Sequence, residues 1–286
     1  MSVMDLPPLR EVIAAHGLRA DKRFGQHFLL DLNLTAKIAR LCGDMSHASV
    51  FEVGPGPGGL TRALLAEGAG EVVAVEKDAR FLPALEEIGE AASPGRLQIV
   101  RADALKVAED KVETRFSTRL LASNLPYNVG TALLIKWLTA DPVWWSRLVL
   151  MFQKEVAERV VATVGDPQYG RLAILAAAAA QPRFAFTLPA RAFTPPPKVD
   201  SAVVVVDPLP SDQRFGDLEA LSIVTESAFG QRRKTLRKSL AAAAGKAGAS
   251  AEALLQCAEI DPSARAETIN PAGFMRLATA WREARG

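Results

Sequence analysis

The sequence is short of cysteine, of net charge and of long apolar runs, and each shortage excludes something. Its only cysteines, Cys42 and Cys257, stand far apart and lack metal-ligand spacing. A disulfide framework and a bound metal are therefore not expected, and a reducing compartment is. The formal net charge is only +2, so no global field announces a polyanion, and any basic footprint must be local. The most apolar stretch, residues 172–180, is far too short to cross a bilayer. Residues 1–10 carry prolines and no apolar core of the kind a signal peptide needs. No internal repeat or low-complexity tract stands out. These absences predict a soluble, cytoplasmic protein with no membrane partner.

What the chain does have is 286 residues, 49% of them hydrophobic, enough for one large domain or for one large and one small. Its organising stretch is Ser123-Asn124-Leu125-Pro126-Tyr127, entered by an apolar run that reads as a buried strand. Open α/β folds place their ligands at the carboxyl ends of such strands. Pro126 has no N–H and keeps Leu125 extended, so backbone carbonyls can point outward there. Asn124 can accept a hydrogen bond from an exocyclic amine, and Tyr127 can stack on the ring that carries it. A plain strand followed by a proline turn would read the same way.

Upstream lies a βαβ pattern: a strand at 49–53, the loop Gly54-Pro55-Gly56-Pro57-Gly58-Gly59, a helix at 60–67, and a strand at 72–75 closed by Glu76. Glycines at the G-x-G-x-x-G positions with an acid after the second strand fit a nucleoside whose ribose diol the acid holds. Pro55 and Pro57 remove N–H donors that a pyrophosphate would need, and Glu52 puts a carboxylate beside the loop. A cationic, phosphate-free ligand such as S-adenosylmethionine fits better than a dinucleotide; a glycine turn needed only for packing is the alternative. Asp103 ends the third strand, where it can accept an adenine amine or simply cap the next turn.

Further motifs lie outside this core. Residues 22–31 mix cations, aromatics and amides without a period, as a surface loop or as a lid in which Gln26 and His27 make polar contacts. Phe193 opens a stiff loop with three prolines at 195–197, either as a second aromatic platform or as an apolar plug. The last two strands are expected at 183–188 and 203–206. Linker composition at 207–211 sets a boundary between 1–208 and an all-helical 209–286. There Arg232, Arg233, Lys234, Arg237 and Lys238 gather at the expected start of a helix, where cations oppose the helix dipole and a polyanion would explain them.

Taken in order, Arg23-Phe24-Gly25-Gln26-His27-Phe28-Leu29, Glu52-Val53-Gly54-Pro55-Gly56, Val75-Glu76, Asp103, Asn124-Leu125-Pro126-Tyr127, the Phe193–Ser201 loop and Phe229-Gly230-Gln231-Arg232-Arg233-Lys234-Thr235-Leu236 resemble the small-subunit ribosomal RNA adenine N6,N6-dimethyltransferases over nearly the whole chain. The resemblance implies a Rossmann-like, seven-stranded methyltransferase domain followed by a small helical domain. It implies an S-adenosylmethionine site at His27, Leu29, Glu52, Gly54, Gly56, Glu76, Asp103 and Asn124, and catalysis at Asn124, Leu125, Pro126, Tyr127 and Phe193. Many members have Asn where this chain has His27. RNA contacts are expected from Lys22, Arg23 and the cations at 232–238. The implied substrate is a pair of adjacent adenosines in a hairpin loop near the 3′ end of small-subunit RNA, in a late pre-30S particle, with the protein a monomer.

Three rivals are weighed against it. A macrolide-resistance type of large-subunit RNA dimethyltransferase shares the Asn-x-Pro-Tyr logic, but Leu125 and the 231–236 segment favour the small-subunit family. A nicotinamide-dependent dehydrogenase would use the glycine loop, against which stand Pro55, Pro57 and Glu52. A non-catalytic assembly factor would need only the RNA-contacting surface.

Overall fold

The computed structural model describes residues 3–20 and 26–286. Lys22 and Arg23, with Phe24 and Gly25 of the first motif, lie outside the described residues. Chain contacts divide the protein into two units: residues 1–136, 142–157 and 183–207 form the first, and 137–141, 158–182 and 208–286 the second.

The first unit opens with α1 (Leu9–Ala15), the two-residue strand β1 (Phe28–Leu29) and α2 (Leu32–Arg40). Asp31 caps α2, its carboxylate accepting the N–H groups of Asn33 and Leu34. Then come β2 (Ala48–Val53), α3 (Gly59–Ala66), β3 (Glu71–Glu76), α4 (Leu82–Ala91), β4 (Leu97–Arg101), β5 (Thr118–Asn124), α5 (Gly130–Leu138) and β6 (Arg147–Gln153). Every residue of β2 and β3 is buried, as parallel strands covered on both faces require. Gly58 ends the loop before α3 at φ +86°, and a Cβ there would fall 2.1 Å from Ile88.

After α6 (Lys154–Val161) and α7 (Arg171–Ala179), the chain adds β7 (Ala180–Leu188), β8 (Phe193–Thr194) and β9 (Ser201–Pro208). The main sheet has seven strands in the order β4-β3-β2-β5-β6-β9-β7, with β9 antiparallel to β6. β1 and β8 form a separate antiparallel pair. The strand order reverses between β2 and β5, the position where doubly wound sheets open a crevice. The β2–β5 ladder runs only as far as Phe51 opposite Leu121. Beyond it the Ser123 hydroxyl bridges the strands, donating to the Val53 carbonyl and accepting the Val53 N–H at 3.2 Å.

The second unit adds α8 (Leu218–Phe229), α9 (Leu236–Ser239), α10 (Ala241–Lys246), α11 (Ala251–Cys257) and α12 (Pro271–Arg285). It also takes in α7, which the boundary at 208 assigned to the sheet domain. The reason is chemical: α7 is buried along Leu172, Ala173, Ile174, Leu175, Ala176, Ala178 and Ala179, and it packs on α8 and α12. The helix expected to begin in this basic run is broken into α9 and α10, and the cations at 232–234 precede it in a turn. Their supposed opposition to a helix dipole therefore does not apply. No helix among the described residues is long and apolar enough to cross a membrane.

Candidate active site

At the reversal point a cavity of about 400 Å³ opens. Its wall includes Gln26, His27, Leu29, Glu52, Gly54, Gly56, Glu76, Asp103, Asn124, Leu125, Pro126 and Tyr127. The expected cofactor residues and the Asn-Leu-Pro-Tyr stretch thus meet in one place, although Tyr127 lies 100 positions after His27 in the sequence. A Cβ on Gly54, which has φ +67°, would lie 3.4 Å from the Pro126 ring, so the glycine turn touches the stretch after β5.

The glycine loop has its donors engaged. Gly54 N–H donates to the Val75 carbonyl, Gly58 N–H to the Pro55 carbonyl, and Gly56 N–H to Glu76 Oε2 at 3.1 Å. Pro55 and Pro57 have none to give. Nothing between Gly54 and Gly58 remains to cradle a pyrophosphate, which counts against the dehydrogenase reading. Glu76 is held from both sides, since its Oε1 accepts the Asp78 N–H at 2.7 Å. Each oxygen keeps a lone pair, the arrangement a vicinal diol can donate into.

Burial pushes the Glu76 carboxyl up, against the opposing pull of those backbone N–H groups. Glu52 is more extreme: 2% exposed and bonded to the Thr61 hydroxyl at 2.6 Å, it is pushed up to about 8 by burial. The sequence reading took Glu52 as a standing negative charge. Enclosure thus favours the neutral acid, and a nearby cation would draw the proton off. At the other end Asp103 is held below the usual carboxylate range, chiefly by its hydrogen bond from Lys77 at 2.9 Å. Its Oδ1 also accepts the Leu105 N–H, so it caps the turn and still faces the cavity.

These groups fit S-adenosylmethionine: acceptors for a diol and an amine, carboxyls that a sulfonium or ammonium can ionise, and no phosphate cradle. On the reactive side, Asn124 donates its Nδ2–H to the His27 carbonyl at 3.2 Å. That carbonyl can only accept, so the amide orientation follows and Oδ1 remains an open acceptor. The Tyr127 hydroxyl bonds Ser201 Oγ at 2.6 Å, which fixes the ring, and burial pushes its phenol up. The His27 ring lies 5.3 Å from the Tyr127 ring at 33°, with Nδ1 2.7 Å from the Pro195 carbonyl. Of residues 22–31, the described Gln26, His27, Phe28 and Leu29 line the cavity.

Phe193 does not join this wall. It is 2% exposed, opposite Leu29 in the β1–β8 pair and inside the sheet core, so the expected second platform is corrected to a plug. Sequence reasoning gave no role to Ser123, Ser201 or Lys77. Ser123 opens the organising stretch and Ser201 closes the proline loop motif, which were the available signals; Lys77 carried none.

The expected RNA cations in the second unit are unequal. Arg232 donates to the Tyr169 carbonyl at 3.1 Å and approaches Glu267, and Arg237 stands 3.7 Å from Glu252. Arg233, Lys234 and Lys238 are exposed.

Known proteins resemble the chain over nearly its whole length. The chain is 63% identical over 284 residues to a ribosomal RNA small subunit methyltransferase A of Maricaulis maris, covering 99% of this chain and 98% of the relative. A protein of the same description from Cereibacter sphaeroides is 55% identical, with 97% and 98% covered. A dimethyladenosine transferase from Plasmodium falciparum shares the fold, with a TM-score of 0.71 over 90% of this chain and 98% of that one, at 24% identity. The 23S rRNA methyltransferase ErmE follows at 0.60 and 25%, with 89% and 99% covered. The family model described as ribosomal RNA adenine dimethylase matches residues 17–282, and the chain belongs to that family.

Proposed function

We propose that the protein dimethylates N6 of two adjacent adenosines in a hairpin loop near the 3′ end of small-subunit ribosomal RNA, acting as a monomer on a late pre-30S particle in the cytoplasm. The small-subunit assignment over the large-subunit one is supported by high identity to relatives of that description, against 25% to ErmE.

The observation that carries the chemistry is the held amide of Asn124. With Nδ2 committed to the His27 carbonyl, Oδ1 can accept one N6–H of a target adenine. The Leu125 carbonyl is assigned the other N–H, which draws the nitrogen lone pair out of ring conjugation. Tyr127, pinned through Ser201, offers its face to the base. Base–aromatic stacking of about 1–3 kcal/mol offsets part of the few kcal/mol needed to extrude a nucleotide. S-adenosylmethionine, when bound, supplies an electrophilic methyl group on a good leaving group. Positioning by Asn124, Leu125 and Tyr127 then accounts for most of the acceleration. Arg233, Lys234 and Lys238, with Lys22 and Arg23, are assigned to RNA phosphates.

Mass spectrometry of ribosomal RNA from cells with and without the protein tests the reading. N6,N6-dimethyladenosine at two adjacent small-subunit positions, lost in its absence, is the expected result. Loss at a large-subunit position would transfer the protein to the rival branch.

A further inference from the structure

We propose that Lys136 is a positioning residue for the methyl donor: its ammonium fixes the stretch from Asp103 to Val107 as the wall on which the donor's adenine lies. This rests on the reading that gives the adenine amine to Asp103, and it adds what holds Asp103 and its neighbours in place.

Residues 102–117 join β4 to β5 with no regular structure beyond one short 3-10 turn, Glu109–Lys111. Such a stretch must find partners for its backbone groups outside any ladder. The N–H groups of Lys106 and Val107 turn back to the Asp103 carbonyl, at 2.8 and 3.2 Å. The carbonyls of Ala104 and Val107 instead accept from Lys136 Nζ, at 2.8 and 2.5 Å. The Glu109 carboxylate, 2% exposed, accepts from the same ammonium, its Oε2 at 2.7 Å. These three partners match the three hydrogens an ammonium has to give. Farther on, Arg119 of β5 donates to the carbonyls of Glu109, Asp110 and Val112, which anchors the far end of the loop.

What this grip controls lies in the cavity. Asp103, Ala104 and Leu105 all belong to its wall. Leu105 is apolar yet 42% exposed, a side chain that the flat face of a purine would cover. The other end of the grip is α5, whose start is set by the Pro126 carbonyl accepting the N–H groups of Val129 and Gly130. Leu133, one turn before Lys136 on that helix, lines the same cavity. Lys136 therefore ties the donor's wall to the helix that follows the Asn-Leu-Pro-Tyr stretch. Without the ammonium, the carbonyls of Ala104 and Val107 would have to turn toward water, and Asp103 and Leu105 would shift with them.

Removing the ammonium alone would strand a buried carboxylate, so the test variant is Lys136→Met combined with Glu109→Gln. The probes are S-adenosylhomocysteine and 5′-methylthioadenosine, which keeps the nucleoside and lacks the amino-acid end. Calorimetry is expected to show both binding about tenfold more weakly than to wild type. Single-turnover methyl transfer to unmethylated small subunits at saturating S-adenosylmethionine is expected to stay within about threefold, a split that a general loss of fold would not give. Glu109→Gln by itself keeps the ammonium on both carbonyls, and its affinities are expected within about twofold of wild type. Wild-type affinity for the two probes in the double variant would overturn the proposal, and so would a loss in Glu109→Gln as large as in the double variant. Should the double variant not fold, Lys136→Gln, one atom shorter, answers the same question: weaker binding of both probes is expected, and wild-type affinity overturns the proposal. Asp103→Ala checks the underlying reading separately. Undiminished binding of 5′-methylthioadenosine there would overturn the placement of the adenine rather than the grip on the loop.

Discussion

The Ser123 hydroxyl occupies the gap where β2 and β5 part, with the Val53 carbonyl and N–H as its partners. One residue later comes Asn124, and one residue after Val53 comes Gly54, so this side chain ties the Asn-Leu-Pro-Tyr stretch to the glycine turn. Its hydrogen bonds replace ladder bonds that the crevice has opened.

Ser123→Ala leaves the Val53 carbonyl and N–H without their side-chain partner in a buried strand. A loss of about 1–3 kcal/mol in unfolding free energy is expected, with methyl transfer reduced as well. Denaturant unfolding measures the first, and a change below about 0.5 kcal/mol would mean that water replaces the hydroxyl.

Asn124→Ala removes the orienting acceptor while leaving Glu52, Glu76 and Asp103 in place. Calorimetry is expected to find cofactor affinity within severalfold of wild type, and single-turnover methyl transfer is expected to fall by roughly a hundredfold or more. Transfer at the wild-type rate would assign the orientation of the amine to other groups.

Glu52 makes ligand-free stability depend on pH. Its folded value of about 8 lies above the ordinary 4.5, so the folded state binds the proton more tightly over that interval. The stabilisation is present below pH 4.5 and is lost as pH rises through 8, at up to about 1.4 kcal/mol per pH unit. Glu76, also raised by burial, acts in the same direction. Glu52→Gln is expected to flatten the fall between pH 5 and 8 without abolishing it. Identical slopes in the two proteins would place the charge on Glu52 already in the empty site.

Among the cations of the second unit, replacing Arg233, Lys234 and Lys238 together with Ala is expected to reduce the salt slope of particle binding by about two to three. Arg232→Ala should instead cost folding stability, because its guanidinium holds the Tyr169 carbonyl. An unchanged slope in the triple variant would make those residues ordinary surface.

Much of this was legible because it is local. The glycine turn, the acid closing β3 and the Asn-Leu-Pro-Tyr stretch each declare themselves within a few residues, and strand ends place them together. What escaped depends on distance. Phe193 is a plug because a two-residue strand meets Phe28 and Leu29 from 165 residues away, a pairing with no period to detect. α7 belongs with the C-terminal helices because it is apolar nearly all round, which tells of burial but not of the partner. Glu52 reads as a charge in any sequence, and only its enclosure makes it an acid.

The engaged backbone from Gly54 to Gly58 also protects the enzyme from its surroundings. Phosphorylated adenosines could mimic the purine and sugar of the methyl donor, but their tails would find no spare amide hydrogen between Gly54 and Gly58. The pocket therefore resists clogging by nucleotides, and it does so through bonds its own turn has already made.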